Sequence, residues 1–287
     1  MLKNLYKRRL EIAVFLYYTK TLCIKKRCII LDKKYFFFDI DGTLTEKSTG
    51  ILVPSAKEAI RKLKEAGHFV SIATGRAFYK AENFRKESGF DHMVCNGGHG
   101  IVYEGKLCEN RPLDYEKCKA IYKQALGLGY GVLVAVDDSK KVYTKDYRFY
   151  DQVGIRKEPT TYIIDEDFNP DNFGVIYKMY VSVPEKEEEK LTLKDTVGNM
   201  RFVPSYLMFQ PDEKKEGILR MLEYANGNPE DVVVFGDDYN DLVMFDEAFY
   251  GVAMGNACEE LKKKAKYVTD LNINDGIYKA CEKHGWF

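Results

Sequence analysis

The stretch Phe36-Phe37-Phe38-Asp39-Ile40-Asp41-Gly42-Thr43 decides the reading of this 287-residue chain. An apolar strand runs up to two carboxylates and stops. Residues two apart in extended backbone point to the same side, about 6.6–6.8 Å from one another, so Asp39 and Asp41 can flank one reacting centre. Ligands of open α/β sheets bind beyond the carboxyl ends of the strands, which is where this pair falls. Gly42 lets the chain turn sharply and bring its backbone close to that centre.

Working outward, residues 35–38 read as a strand and Ala56, Ile60 and Leu63 recur at helical spacing. Residues 68–73 then form a second apolar run. Pro54 suits a first helical turn and Gly67 suits a helix end. A helix over residues 77–88 and a short strand over 93–95 continue the alternation, the pattern of a parallel sheet covered by helices. Residues 112–211 read differently, with a helix at 115–126, several clustered Tyr- and Val-rich strands, and a charged helix at 185–197. That shift implies an inserted α+β module. Afterwards helix 214–224, strand 231–235, helix 241–245 and strand 250–254 resume the alternating core. The expected organisation is an N-terminal extension (1–34), a core built from 35–111 and 212–287, and an insertion (112–211) joined by short hinges near Arg111 and Pro211.

A second apolar strand ending in acids is Val232-Val233-Val234-Phe235-Gly236-Asp237-Asp238-Tyr239-Asn240-Asp241. Strands of one parallel sheet bring both acidic clusters to the same edge. Clustered carboxylates repel and need a cation or a proton between them. Oxygen ligands of this kind suit Mg²⁺ better than zinc or copper. Thr74 and Gly75, in Ser71-Ile72-Ala73-Thr74-Gly75-Arg76, lie between a strand and a helix, where a hydroxyl and neighbouring amides can hold phosphate oxygens. Lys214 or Lys215 can offset negative charge on phosphate and carboxylate. Helical spacing to Ile218 favours Lys214.

These segments, in this order, together with Asn96-Gly97-Gly98 and Val252-Ala253-Met254-Gly255-Asn256-Ala257, resemble the haloacid dehalogenase superfamily in its Cof-like, class IIB branch. The resemblance runs from Tyr35 to the C-terminus. It implies a Rossmann-like parallel-sheet core with an inserted α+β cap domain of the C2 type, and a phosphatase forming an aspartyl-phosphate. In that scheme Asp39 is the nucleophile and Asp41 the general acid and then base. Thr74, Gly75, Lys214 and Asn240 hold the phosphoryl group. Asp39, the main-chain carbonyl of Asp41, Asp237 and the supporting Asp241 hold Mg²⁺. The implied substrate is a small phosphorylated metabolite such as a sugar phosphate. A sugar phosphomutase and a non-catalytic binding or regulatory protein on the same fold are the alternatives.

Composition fits that scheme. Lys plus Arg and Asp plus Glu balance at 44 each, which removes the electrostatic argument for nucleic acid or anionic membrane as a partner. Seven cysteines, an odd number with no Cys-x-x-Cys, indicate neither a zinc site nor a disulfide framework and suit a reducing cytoplasm. The apolar run 12–18 is too short to span a bilayer and is followed by no cleavage site for export. Acids at strand ends are often only caps, and Asp238 reads equally as a solvent-facing cap. Thr74 reads equally as an N-cap. Arg76 reads equally as a surface residue, and His92, His99 and Cys95 are assigned no role.

Overall fold

The computed structural model describes residues 32–156 and 158–287. Of the expected N-terminal extension, residues 1–31 lie outside the described residues, together with the apolar run 12–18, Cys23 and Cys28. Lys34, at its end, bonds back into the fold through its backbone N–H to His68 Nδ1 and through Nζ to Asp231.

Strands β1 (Tyr35–Phe38), β2 (Phe69–Ala73) and β3 (His92–Cys95) open a first sheet, followed by the hairpin β4 (Gly100–Tyr103) and β5 (Lys106–Asn110). The chain then builds a second sheet from β6 (Val132–Ala135), β7 (Lys141–Thr144), β8 (Thr161–Ile164), β9 (Lys178–Val181), β10 (Asn199–Val203) and β11 (Tyr206–Phe209). It returns to the first with β12 (Val232–Gly236), β13 (Tyr250–Ala253) and β14 (Tyr267–Val268). The first sheet has the order β14-β13-β12-β1-β2-β3-β4-β5, parallel except for the β4–β5 hairpin at one edge. The second has the order β10-β11-β9-β6-β7-β8 and is mostly antiparallel.

β1 sits at the centre of the first sheet because its side chains are apolar on both faces. Phe36 and Phe38 enter the core beneath helices Pro54–Glu65 and Gly276–Lys283, while Tyr35 and Phe37 enter the core beneath helix Lys214–Ala225. All three phenylalanines are fully buried, each contributing roughly 1.5–3 kcal/mol. Parallel pairing on both sides, Phe38 with Ile72 and Phe38 with Phe235, aligns the ends of β1, β2 and β12 at one edge.

Three expectations need correction. Residues 185–197 form two 3₁₀ segments, Glu185–Lys190 and Lys194–Thr196, instead of one charged helix. Leu191 is fully buried with extended ψ of 73°, and Gln124 bonds both Thr192 and the Leu193 N–H, so the chain dips into the second core and breaks helical phase. Residues 241–244, expected as part of a helix 241–245, belong to a 3₁₀ turn, Tyr239–Met244, closed by a reciprocal capping box between Asp238 and Asp241. The β4–β5 hairpin was not expected, because β5 is short, polar and largely exposed and so carries no apolar strand pattern.

The crossings between the two sheets lie side by side. Glu213 donates its N–H to the Gly97 carbonyl, Arg220 bonds the Gly98 carbonyl, and His99 and Arg111 both face the Glu213 carboxylate. Gly98 has φ +107°, and a Cβ there would lie 2.0 Å from the Glu213 carbonyl oxygen. No side chain fits where the outgoing chain passes under the returning one.

Candidate active site

Asp39 is the first residue beyond β1, and its N–H donates to the Phe235 carbonyl, which extends the sheet by one step. Its side chain is therefore held beside the end of β12, where Asp237 follows Gly236. Asp237 packs on the turn after Asp39: the Thr43 hydroxyl donates to its Oδ1 at 3.0 Å, and a Cβ on Gly42 would lie 2.2 Å from its Oδ2. Gly42 has φ +90°, so both its conformation and its contact exclude a side chain. Asn256 donates to the Gly42 carbonyl and Asn272 to the Thr45 carbonyl, while the Asn272 N–H donates to Asn256 Oδ1. Two asparagines from the last quarter of the chain thus brace the turn.

Asp241 reaches the same place from the 3₁₀ turn. Its Oδ2 accepts the N–H groups of Asp237 and Asp238, and its Oδ1 accepts Lys214 Nζ at 2.6 Å. Lys214 Nζ also donates to Asp39 Oδ1 at 2.9 Å, and the lysine is 1% exposed. Lys215, one residue on, points elsewhere and pairs with Asp246 at the surface.

One carboxylate oxygen from each of Asp39, Asp237 and Asp241 lies within 4.8 Å of the others. Three buried carboxylates face one buried ammonium, so the cluster carries surplus negative charge. Burial and the neighbouring Asp241 push the Asp39 carboxyl well above its ordinary range despite the opposing pull of Lys214. Burial and Asp241 likewise push Asp237 up to about 7. Lys214 is held charged, because its two carboxylate partners outweigh its burial. The set fits a hard divalent cation: Lys214 takes Oδ1 of Asp39 and Thr43 takes Oδ1 of Asp237, so the Oδ2 of each can serve as an oxygen ligand, that of Asp237 with the ammonium of exposed Lys47 3.9 Å away.

Asp41 does not join this cluster through its carboxylate. Its side chain is half exposed and pairs with Arg76, which donates Nε to Oδ2 at 2.9 Å and Nη2 to Oδ1. Arg76 is thus more than a surface residue, being tied to the second acid of the opening motif. Thr74 is buried at the end of β2, and its hydroxyl accepts the Arg76 N–H. It does not cap the following helix, which runs Phe78–Glu87 with Ala77 at its N-cap. Across from this turn, Asn240 Nδ2 and Gln210 Nε2 stand 3.8 and 3.6 Å from the position of a Cβ on Gly75. Asp238 caps the 3₁₀ turn and pairs with exposed Lys47 at 2.6 Å. The structure therefore gathers Asp39, Asp237, Asp241 and Lys214 in one buried cluster, brings Gly75 and Asn240 together, and sets Asp41 apart on Arg76. Lys47 and Asn272 are additions that sequence reading missed, while Thr43 and Asn256 stood in its quoted segments without an assigned role.

His92 stacks between Phe69 and Tyr103, and burial lowers its pKa to about 4. Cys95 is fully buried and its thiol is pushed up by that burial, so it supplies no thiolate.

Comparison with known proteins matches residues 36–281 to the sequence profile of the haloacid dehalogenase-like hydrolases. YkrA of Bacillus subtilis (strain 168), which carries a provisional phosphatase name, is 28% identical over 257 residues, 89% of this chain and 99% of its own. A hypothetical protein from Geobacillus kaustophilus HTA426 is similar in structure, with TM-score 0.74 and 30% identity over 89% of this chain and all of that one. The subclass IIB sugar phosphatase BT4131 is similar at TM-score 0.70 and 26% identity, again over 89% of this chain and all of its own.

Proposed function

The chain belongs to the haloacid dehalogenase-like hydrolases, in their Cof-like subclass IIB branch, and is a phosphatase; from that premise we propose that it hydrolyses a small sugar or polyol phosphate with Mg²⁺, through an aspartyl-phosphate on Asp39. The observation that carries this reading is the ammonium of Lys214 bridging Asp39 and Asp241 in a buried pocket beside Asp237. The sugar phosphatase named among the similar structures supports the substrate class.

Substrate phosphate would sit among Thr74, Gly75, Lys214 and Asn240. Asp39 attacks phosphorus in line, the ester P–O bond breaks, and Asp41 gives a proton to the departing alkoxide. Water then attacks the phosphorus of the aspartyl-phosphate, Asp41 takes its proton, and inorganic phosphate leaves with Asp39 regenerated. Asp41 must exchange its pairing with Arg76 for the leaving oxygen, a change available to a half-exposed side chain. Lys214 offsets the charge between nucleophile and phosphate throughout. Mg²⁺, held by Asp39, Asp237 and the Asp41 carbonyl with Asp241 supporting, would neutralise charge on the transferring phosphoryl group. The segment 112–211 would act as a cap over the leaving group.

Five cysteines among the described residues are free thiols, which supports a reducing, cytoplasmic setting. No helix among the described residues is long and apolar enough to cross a membrane.

The test is phosphate release from a panel of sugar and polyol phosphates, with and without Mg²⁺. Asp39→Asn should abolish release and EDTA should suppress it in the parent. Turnover surviving Asp39→Asn would overturn the mechanism, and transfer of phosphate to another hydroxyl of the same sugar would identify a mutase instead.

A further inference from the structure

A narrow cleft of about 20 Å³ lies between the second sheet and the turn that follows β2. Its lining includes Tyr79, Lys80 and Asn96 from the first sheet's side, and Asp138, Arg156 and Lys178 from the second. Two of the residues that line it carry a buried polar atom without a partner. Asn96 is 2% exposed and its Oδ1 has no hydrogen-bond partner; Arg156 is 7% exposed and its Nε has none either. Buried polar atoms are almost always paired, so two orphans lining one cleft mark a place where a ligand completes them.

The charges on the walls say which ligand. Glu158 is shared by Lys80 and Arg156, and Arg156 also lies 3.7 Å above the Tyr180 ring. Asp138 accepts from Asn110. Lys178 makes no ion pair among the described residues; its Nζ donates only to the Gly75 carbonyl, at 3.4 Å. Four cations, Lys80, Lys140, Arg156 and Lys178, therefore face three carboxylates, Asp137, Asp138 and Glu158, and Lys178 stands on the turn that carries Thr74 and Gly75. An ammonium withdrawn from water without a counterion is costly, and an anion brought in by the substrate removes that cost.

We propose that Lys178, with Arg156 and Asn96, is the specificity site for an anionic leaving group: the phosphate ester cleaved here carries a second acid, a carboxylate or another phosphate, on the part that departs. The proposal rests on the phosphatase reading above. A phosphoryl group at Thr74 and Gly75 puts its ester oxygen on the cleft side, and the second acid then meets Lys178 Nζ and Arg156 Nε while a hydroxyl donates to Asn96 Oδ1.

Matched pairs test it on the wild-type protein: 6-phosphogluconate against glucose 6-phosphate and 3-phosphoglycerate against glycerol 3-phosphate for the carboxylate, fructose 1,6-bisphosphate against fructose 6-phosphate for the phosphate. The acidic member should have kcat/KM about tenfold or more above its neutral partner in at least one pair, the worth of one desolvated charged contact. The winning pair identifies which acid. Lys178→Met should collapse that ratio toward one, largely through KM, and Lys178→Arg should restore part of it. Neutral members equal to or better than acidic ones in the wild type would overturn the proposal, whatever the variants do. So would a ratio unchanged by Lys178→Met. Absence of phosphate release from every substrate, p-nitrophenyl phosphate included, would instead overturn the phosphatase reading on which the proposal stands.

Discussion

Replacing Lys214 by methionine keeps most of the side-chain volume and removes the single ammonium that faces Asp39 and Asp241, whose side chains are 5% and 0% exposed. Breaking a buried ion pair leaves an uncompensated charge and costs about 3–5 kcal/mol. The two contacts share one ammonium, so the total stays near that figure and is not doubled. Lys215→Ala is the internal control: its pair with Asp246 is 30% and 39% exposed, worth at most about 1 kcal/mol. Urea unfolding in EDTA should show the difference as a shift in midpoint at constant slope. The deficit of Lys214→Met has a defined pH dependence. Without the lysine, the buried carboxyls, already raised by burial, bind protons more readily folded than unfolded, so the variant regains stability relative to the parent as pH falls through their raised range toward the ordinary carboxylate range. Phosphate release should drop by about 10²–10³-fold for Lys214→Met, the usual effect of losing one preorganised charged contact. A larger activity loss for Lys215→Ala, or a wild-type urea midpoint for Lys214→Met, would refute the assignment.

Gly42→Ala places a methyl group 2.2 Å from Asp237 Oδ2 at a φ of +90°, and should cost about 2–3 kcal/mol while raising the Mg²⁺ concentration needed for half-maximal activity. Gly50→Ala, at φ +69° with open space around it, should cost only the backbone term of about 1–2 kcal/mol, and equal effects at the two glycines would discount the Asp237 contact. His92 has a folded pKa of about 4 against 6.5 for the free side chain, so its neutral ring contributes fully above pH 6.5 and that contribution is lost as pH falls to about 4. The Glu104 N–H bonded to Nδ1 reinforces the neutral form. His92→Phe should flatten the loss of stability between those pH values relative to the parent, and parallel curves would remove His92 as the cause.

Much of the site was legible because chemistry and strand position coincide. Asp39 and Asp237 each follow an apolar strand, and parallel pairing of Phe38 with Phe235 turns two distant motifs into neighbours. The choice of Lys214 over Lys215 was visible as helical phase, and the structure gives it a physical form: one is buried between carboxylates, the other solvated. What could not be read depends on contacts across elements. Nothing in the spacing of Asp39 and Asp41 says that one carboxylate faces inward and the other is taken up by Arg76 at the end of a neighbouring strand. Asn256 and Asn272 brace the Gly42 turn from more than 200 residues away; Asn256 stood in a quoted segment with no role attached, and Asn272 had no pattern to announce it. The charged stretch 185–197 misled because composition favours helix while the burial of Leu191 breaks it. Lys178 lies in β9, and only the folded chain brings its Nζ to the Gly75 carbonyl.

The side-by-side crossings have a consequence for how the chain can be assembled. Arg111 and Glu213 meet across the two strands of the junction, so the roughly hundred residues between them begin and end at nearly the same point. A segment whose ends are already adjacent closes its loop with its own folded core, and lengthening such a loop adds little entropy, about 0.6 kcal/mol per doubling. The eight-stranded sheet can therefore complete its order around β1 without waiting for the second sheet, and the second sheet can vary in size and lining while Asp39 and Lys214 keep their register. The first residue of the helix after that return crossing is Lys214 itself, so the intruding layer is spliced in immediately beside the ammonium that bridges Asp39 and Asp241.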